Sequence, residues 1–345
     1  MIVEDSLVVS EFLRHIIEQD TRLRVVAVAR SGEEALAQLP TVRPDVISLD
    51  IRLPGMNGFD FTKRAMSSVP TPIVVVSSDV ENDELKISMN ALRAGALAVV
   101  QKPVGLSHED YEALASSLCT KLLIMSQVRV IRQRYGGPEL ALPLQPPLIK
   151  RRPGPIRAIG MVASTGGPSA VVKVLSDLDT NCPPILLVQH ITPGFVSGFV
   201  NWLNDVVGTV QVVEAGQGML PEPGHVYVAP ADRHLTCREG GIIHLTDGST
   251  VSGQKPSGSV LFSSMARIYA EQSLGIILTG MGEDGAAGLR EMHGKGAFTI
   301  AEDESTAVVY GMPGAAVRMG AASEVLPLEK IGARVNEYLE EGRSK

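Results

Sequence analysis

The first hundred residues repeat one pattern: a short apolar run, a polar residue at its end, then a helix-like stretch. The runs are Ile2–Val3, Val25–Ala29, Val46–Leu49, Ile73–Val76 and Ala98–Val100. Each is strand-length. Between the second and third lies Gly32–Leu39, apolar at Ala35, Leu36 and Leu39, the spacing of a helix face. Strands that alternate with helices imply parallel β-α units and a doubly wound five-stranded sheet. Such sheets collect function at the carboxyl ends of their strands.

A second pattern of the same kind starts at Ala158. Strands are expected at Ala158–Val162, Ile185–Gln189, Val210–Val213, His225–Ala229, Ile242–Leu245, Gly275–Thr279 and Phe298–Ala301. They predict a second doubly wound, mostly parallel α/β domain. Between the patterns stand Pro138, Pro143, Pro146, Pro147, Pro153 and Pro155, with basic residues at 129, 132, 134, 150, 151, 152 and 157 against one acid, Glu139. Proline at that density cannot form a packed helix or a central strand, so this stretch reads as a solvated tether. The expected division is a first domain over 1–118, a linker over 119–155 and a second domain over 156–342. A chain of 345 residues is too long for one ordinary core.

The net charge of −7 argues against a nucleic-acid partner, because phosphate contacts need an excess of Lys and Arg. Cys119, Cys182 and Cys237 lack metal-ligand or redox-motif spacing and read as reduced thiols, hence a cytoplasmic location. No apolar run approaches the ~20 residues of a membrane helix, and no secretory signal pattern opens the chain.

Five strand-end groups stand out in the first domain. Glu4 and Asp5 follow the first strand and Asp50 the third. Ser77 ends the fourth, and Lys102 before Pro103 ends the fifth. Parallel strands bring the carboxylates to one edge. Oxygen ligands of that kind suit Mg2+. A hydroxyl and an ammonium beside them could each bind a phosphoryl oxygen. One Asp at a strand end is usually a turn residue; five suitable groups in order carry more weight.

The motifs Val3-Glu4-Asp5-Ser6, Leu49-Asp50-Ile51-Arg52-Leu53-Pro54-Gly55-Met56-Asn57-Gly58, Val76-Ser77-Ser78 and Lys102-Pro103 resemble the receiver domains of two-component response regulators, a flavodoxin-like fold. The resemblance implies that Asp50 accepts phosphate from a histidine kinase. It implies that Glu4 and Asp5 help to hold Mg2+, with the Arg52 main-chain carbonyl as a further ligand, and that Ser77 and Lys102 act as the switch. Two departures follow. The family carries several more apolar residues before the acidic pair, where this sequence has Met1, Ile2 and Val3; the expectation is a recorded start downstream of the true one. Val99 stands where the family commonly has an aromatic, which puts an aromatic rotamer toggle in doubt.

In the second domain, Ala158 to Pro168 reads as strand, sharp turn, helix, with Ser164 in the turn. Val162 breaks a G-x-G-x-x-G dinucleotide fingerprint, and Gly167-Pro168 breaks a phosphate-binding loop. A nucleophile turn remains, although Val162 also departs from the G-x-S-x-G elbow. A serine needs a base. His190 exits the run Pro184–Gln189, and His234 is its rival. The base needs an orienting carboxylate. Asp284 follows Leu274–Thr279, with Glu283 as a competitor; an Asp there could instead cap a helix. On residues alone these choices stay open.

Residues 156 to about 335 resemble the catalytic domain of the CheB chemotaxis methylesterases. The matching stretches are Ser164-Thr165-Gly166-Gly167-Pro168, Gln189-His190, His225 to Pro230, Leu261-Phe262-Ser263-Ser264, Leu278 to Gly285 and Tyr310 to Ala316. The resemblance implies Ser164 as nucleophile, His190 as base and Asp284 as orienter, with main-chain amides near Thr165 and Met281 as oxyanion-hole candidates. It implies hydrolysis of glutamyl methyl esters on chemoreceptor cytoplasmic helices, gated by a receiver that covers the active-site edge until Asp50 is phosphorylated, with receptor glutamine deamidation as a second activity. A monomer without an esterase cofactor is expected. The alternatives are a non-catalytic regulator acting by partner binding and, more weakly, a dinucleotide-binding domain. One departure stands before Leu261: Pro256-Ser257-Gly258-Ser259 replaces Pro-Ser-x-Asp, a loss expected to alter substrate contacts without touching the triad.

Overall fold

The computed structural model describes residues 1–77, 82–103, 108–128 and 155–343, and the chain divides into two compact units. The proline-rich tether falls almost wholly outside the described residues. The first unit alternates β1 (Ile2–Val3), α1 (Leu7–Gln19), β2 (Val28–Ala29), α2 (Gly32–Val42), β3 (Ile47–Leu49), α3 (Gly58–Ser68), β4 (Ile73–Ser77), α4 (Asn82–Arg93), β5 (Ala98–Gln101) and α5 (His108–Met125). The strands form one parallel sheet in the order β2-β1-β3-β4-β5, as the alternation predicts. β1, β3 and β4 are buried throughout, because helices cover both faces of a parallel sheet. Side-chain caps start the helices where sequence places them: Ser6 accepts from the Val9 amide, Ser31 from Glu34 and Asn57 from Asp60. α5 runs past position 118 to Met125, because Leu118, Leu122 and Met125 fall on one buried face.

The second unit contains β6 (Ala158–Ala163), α6 (Gly167–Ser176), β7 (Ile185–Gln189), α7 (Val196–Val206), β8 (Gln211–Glu214), β9 (His225–Val228), β10 (His234–Cys237), β11 (Ile243–Thr246), α8 (Gly258–Ile268), β12 (Ser273–Ile277), α9 (Ala286–Gly294), β13 (Phe298–Glu302), α10 (Met312–Arg318), β14 (Glu324–Leu326) and α11 (Leu328–Arg343). Seven strands form one wholly parallel sheet, β14-β13-β12-β6-β7-β9-β8. The chain leaves β6 toward β7 on one side and returns as β12 on the other, so the topological switch point lies beside β6. There the crevice at the carboxyl ends opens.

Two strands were not legible in the sequence, and one expected strand lies elsewhere. β11, expected within the main sheet, pairs antiparallel with β10 as a separate hairpin. β10, His-Leu-Thr-Cys, is buried at all four positions, so its polar residues hide the strand signal. β14 is a short, half-buried edge with no apolar alternation.

Packing around α8 ties this fold to the crevice. Phe262 is fully buried and reaches toward Gly160 of β6 on one side and Gly285, just before α9, on the other. Phe262→Ala should leave a cavity under α8 and destabilise the second unit by about 3–5 kcal/mol. A urea titration followed by Trp202 fluorescence measures this.

Candidate active site

The carboxyl edge of the first sheet gathers the predicted groups. Val3 is level with Leu49 in the β1–β3 register, so Glu4, Asp5 and Asp50 emerge side by side. Each offers a carboxylate oxygen within 4.8 Å of the others. Lys102 Nζ lies 2.7 Å from Glu4 Oε2 and 2.9 Å from Asp50 Oδ2, and all three side chains are buried. Burial raises the Glu4 pKa, the Asp50 charge adds to the rise, and Lys102 opposes both. Burial works against the Lys102 charge too, but Asp50 and Glu4 outweigh it and hold the ammonium above its ordinary value. Ser77 ends β4 with its hydroxyl buried and no hydrogen-bond partner among the described residues. Its carbonyl accepts from the Lys102 amide at 2.8 Å. The Arg52 amide lies 3.4 Å from Asp50 Oδ1. Hard oxygen donors this close together fit Mg2+.

The crevice of the second sheet gathers the other set. Ala163 pairs with Gln189 in the β6–β7 register, so Ser164 and His190 leave adjacent strands together. The His190 amide donates to the Ala163 carbonyl at 2.9 Å, and the Ser164 amide to Thr279 at 3.0 Å. Gly166, at φ 76°, turns the chain into α6; a Cβ there would also press on Val308. Ser164 thus stands just before a helix N-terminus, where partial positive charge favours an anion. A Cβ built on Gly280 would lie 2.7 Å from that of Ser164, so the loop after β12 passes directly over the serine. The amides of Thr165 and Met281 donate to no described group.

Asp284 sits in that loop, buried. Its Oδ2 lies 2.9 Å from His190 Nε2 and accepts from the Gly258 amide at 2.6 Å; Oδ1 accepts from the Ser257 hydroxyl at 2.6 Å and the Ser259 amide at 3.2 Å. Burial alone would raise its pKa. The bonds from His190, Ser257 and Gly258 win, and hold the carboxyl down to about 2. The ionised acid can only accept, so His190 donates from Nε2. Nδ1 is buried and without a hydrogen-bond partner among the described residues, Ser164 included.

The rivals are placed elsewhere. Glu283 is exposed, and its carbonyl receives the Ala286 amide. His234 is buried in β10 and bonded to Ser249 and Ser257. Asp284 is not a helix cap; Gly285 occupies that position for α9. Position 259 differs from expectation. Its amide binds Asp284 itself and its hydroxyl accepts from Gly285, so it bears on the triad acid directly. Sequence reasoning missed Ser257, although a serine before the apolar run of α8 is an N-cap signal. It also missed Glu302, fully buried at the end of β13. That carboxyl accepts from the Thr279 amide at 2.7 Å and the Thr306 hydroxyl at 3.1 Å.

An acid–lysine edge on a five-stranded parallel sheet, followed by a Ser–His–Asp edge on a seven-stranded one, defines a switch domain joined to a hydrolase-type domain. The family described as response regulator receiver domain matches residues 1–109, and the family described as CheB methylesterase matches residues 159–335. The chain is 52% identical over 98% of its length to protein-glutamate methylesterase/protein-glutamine glutaminase 2 of Paramagnetospirillum magneticum, covering 96% of that protein. It is 44% identical over 100% of its length to the protein-glutamate methylesterase/protein-glutamine glutaminase of Nitrosospira multiformis, covering 98% of it. The crystal structure of the Thermotoga maritima CheB methylesterase catalytic domain matches 53% of this chain and 98% of that one, at 34% identity and a TM-score of 0.51. The chain belongs to the CheB methylesterase family and carries a response-regulator receiver domain in front.

The Glu302 carboxyl is pushed up to about 7 from 4.5, because burial outweighs its hydrogen bonds. The folded state therefore holds a proton that the unfolded chain releases at lower pH. Stability from this group is complete below 4.5 and is lost as pH rises through 7. The Tm of the second unit should fall as pH rises over that interval. Glu302→Gln, which keeps an acceptor for the Thr279 amide, should flatten that slope in a pH series of calorimetric melts.

Proposed function

We propose that this chain is a phosphorylation-activated hydrolase of glutamyl methyl esters on the cytoplasmic helices of chemoreceptors, releasing methanol. The observation that carries the chemistry is the 2.9 Å bond from His190 to a buried, ionised Asp284 at the edge where Ser164 emerges. Ser164 Oγ attacks the ester carbonyl as His190 Nδ1 takes its proton. Asp284 stabilises the imidazolium. The tetrahedral oxygen lies against the Thr165 and Met281 amides, each worth about 3 kcal/mol. Collapse breaks the bond to methoxide, which leaves as methanol with the His190 proton. Water then attacks the acyl-serine, with His190 again as base, and frees the glutamate. Attack of Ser164 on a receptor glutamine would reach the same acyl-enzyme with ammonia, protonated by His190, as the leaving group in place of methanol, which is the deamidase reading.

In the receiver, Asp50 accepts phosphate from a histidine kinase. Glu4, Asp5 and Asp50 would hold Mg2+, with the Arg52 carbonyl as a further ligand; the ion supplies positive charge against the phosphoryl oxygens. Ser77, whose buried hydroxyl has no partner among the described residues, and Lys102, already paired with Asp50, would bind the phosphoryl group and carry the switch. Among the described residues no helix is long and apolar enough to cross a membrane. Action in the cytoplasm as a monomer completes the reading.

Ser164→Ala should lower methanol release from methylated receptors by at least about 10⁴-fold while receptor binding survives. Retained hydrolysis sinks the assignment, and lost binding with an intact fold favours a receptor-contact role for the serine.

A small phosphodonor should raise the rate, and either Asp50→Ala or a chelator should abolish that rise without changing basal hydrolysis. An unchanged rate in wild type refutes activation through Asp50.

A further inference from the structure

His234 lies outside the Ser–His–Asp set, yet both of its ring nitrogens are bound in the interior. Nε2 lies 3.0 Å from the Ser249 carbonyl, and Nδ1 lies 3.1 Å from the Ser257 amide nitrogen. A carbonyl can only accept and an amide N–H can only donate. These partners therefore admit one form of the ring: neutral, with the proton on Nε2 and the lone pair on Nδ1.

The residue it holds is Ser257, the fully buried N-cap of α8. An N-cap amide lies outside the helical hydrogen bonds, so without His234 this buried N–H would have no acceptor. Its hydroxyl carries the contact onward, donating to Asp284 Oδ1 at 2.6 Å and accepting from the Val260 amide at 3.4 Å. The next two amides, of Gly258 and Ser259, bind the same carboxylate. Three of the four donors to Asp284 thus come from one helix start, and His234 pins that start from behind. Asp284 can aim Oδ2 at His190 only while the start stays in place.

We propose that His234 is a positioning residue for the triad, acting through Ser257 on the orientation of Asp284. The proposal rests on the hydrolytic reading of the site for its effect on rate, and on geometry alone for its effect on the His190–Asp284 bond.

Two near-isosteric substitutions in the full chain separate the ring's two contacts. His234→Asn puts a carbonyl oxygen near the Nδ1 position and keeps an acceptor for Ser257. His234→Gln keeps a donor near the Nε2 position for Ser249 and removes that acceptor. The readouts are the low-field imidazole proton of His190, assigned by its loss in Asp284→Asn, together with kcat, KM and Tm. His234→Gln should shift or broaden that resonance and lower kcat by about 10–100-fold with KM within about twofold. His234→Asn should restore the resonance and most of the lost kcat. In an Asp284→Asn background, His234→Gln should cost nothing further. Ser257→Ala keeps the amide that His234 holds and removes the hydroxyl donor to Asp284, so His234→Gln should cost less in that background than in wild type; an undiminished cost would overturn a route through Ser257.

Equal losses in the Asn and Gln variants that track Tm would make His234 a packing residue and overturn the proposal. So would an unshifted resonance in His234→Gln, or a loss that persists without the Asp284 carboxylate. If wild type hydrolyses no methyl ester, the hydrolytic reading fails by itself, while the resonance still decides whether His234 positions Asp284.

Discussion

A buried carboxylate with four donors sits at the centre of the second unit. Asp284 is out of water, which by itself favours the neutral acid. The start of α8 and His190 reverse that preference and keep it charged. Its charge makes His190 Nε2 the donor in their shared hydrogen bond and so sets the orientation of the ring. The loop that carries Asp284 also brings Gly280 over Ser164. The placements of Ser164, His190, Asp284 and this loop are therefore mutually dependent. Loss of the acid's hydrogen bonds would disturb all of them, because a buried, unpaired charge costs several kcal/mol.

The first unit meets a related problem at its own sheet edge. Glu4 and Asp50 are buried together, and Lys102 bridges them. Burial and mutual repulsion push the Glu4 carboxyl toward neutrality; the bridging ammonium pulls the other way. Such an edge is poised rather than relaxed. Added phosphoryl charge at Asp50 would alter the balance of the same ion pairs, which is the physical basis for a switch. Both units thus place their chemistry where parallel strands end. There the backbone is rigid up to the last paired residue, and the loops beyond it are free to carry polar groups.

Legibility differed between the two sites. In the receiver, the predicted groups stand at the ends of four strands, Glu4 and Asp5 sharing the first, so strand-end position alone brought Glu4, Asp5, Asp50, Ser77 and Lys102 into view. In the second unit the same logic reached Ser164 and His190 but could not separate Glu283 from Asp284. Those two are chain neighbours with opposite burial, and burial is set by packing against α8. His234 looked like a rival base because a histidine carries no sequence mark of which partners it will meet. Its strand was hidden by polar residues that turn out to be buried. Ser257 and Ser259 drew notice only as a departure from the family pattern, because their contact with Asp284 spans a long stretch of chain.

By itself, the sequence determined two doubly wound units, the chain positions of most of their strands and the candidate residues at the strand ends. Periodicity and strand termini are local properties, so they survive in one dimension. Tertiary structure alone decided which carboxylate is buried, which histidine faces it and which helix start holds it. It also set β10 and β11 apart from the main sheet. Those outcomes depend on contacts between segments far apart in the chain, where burial energies rather than local preference choose the partner.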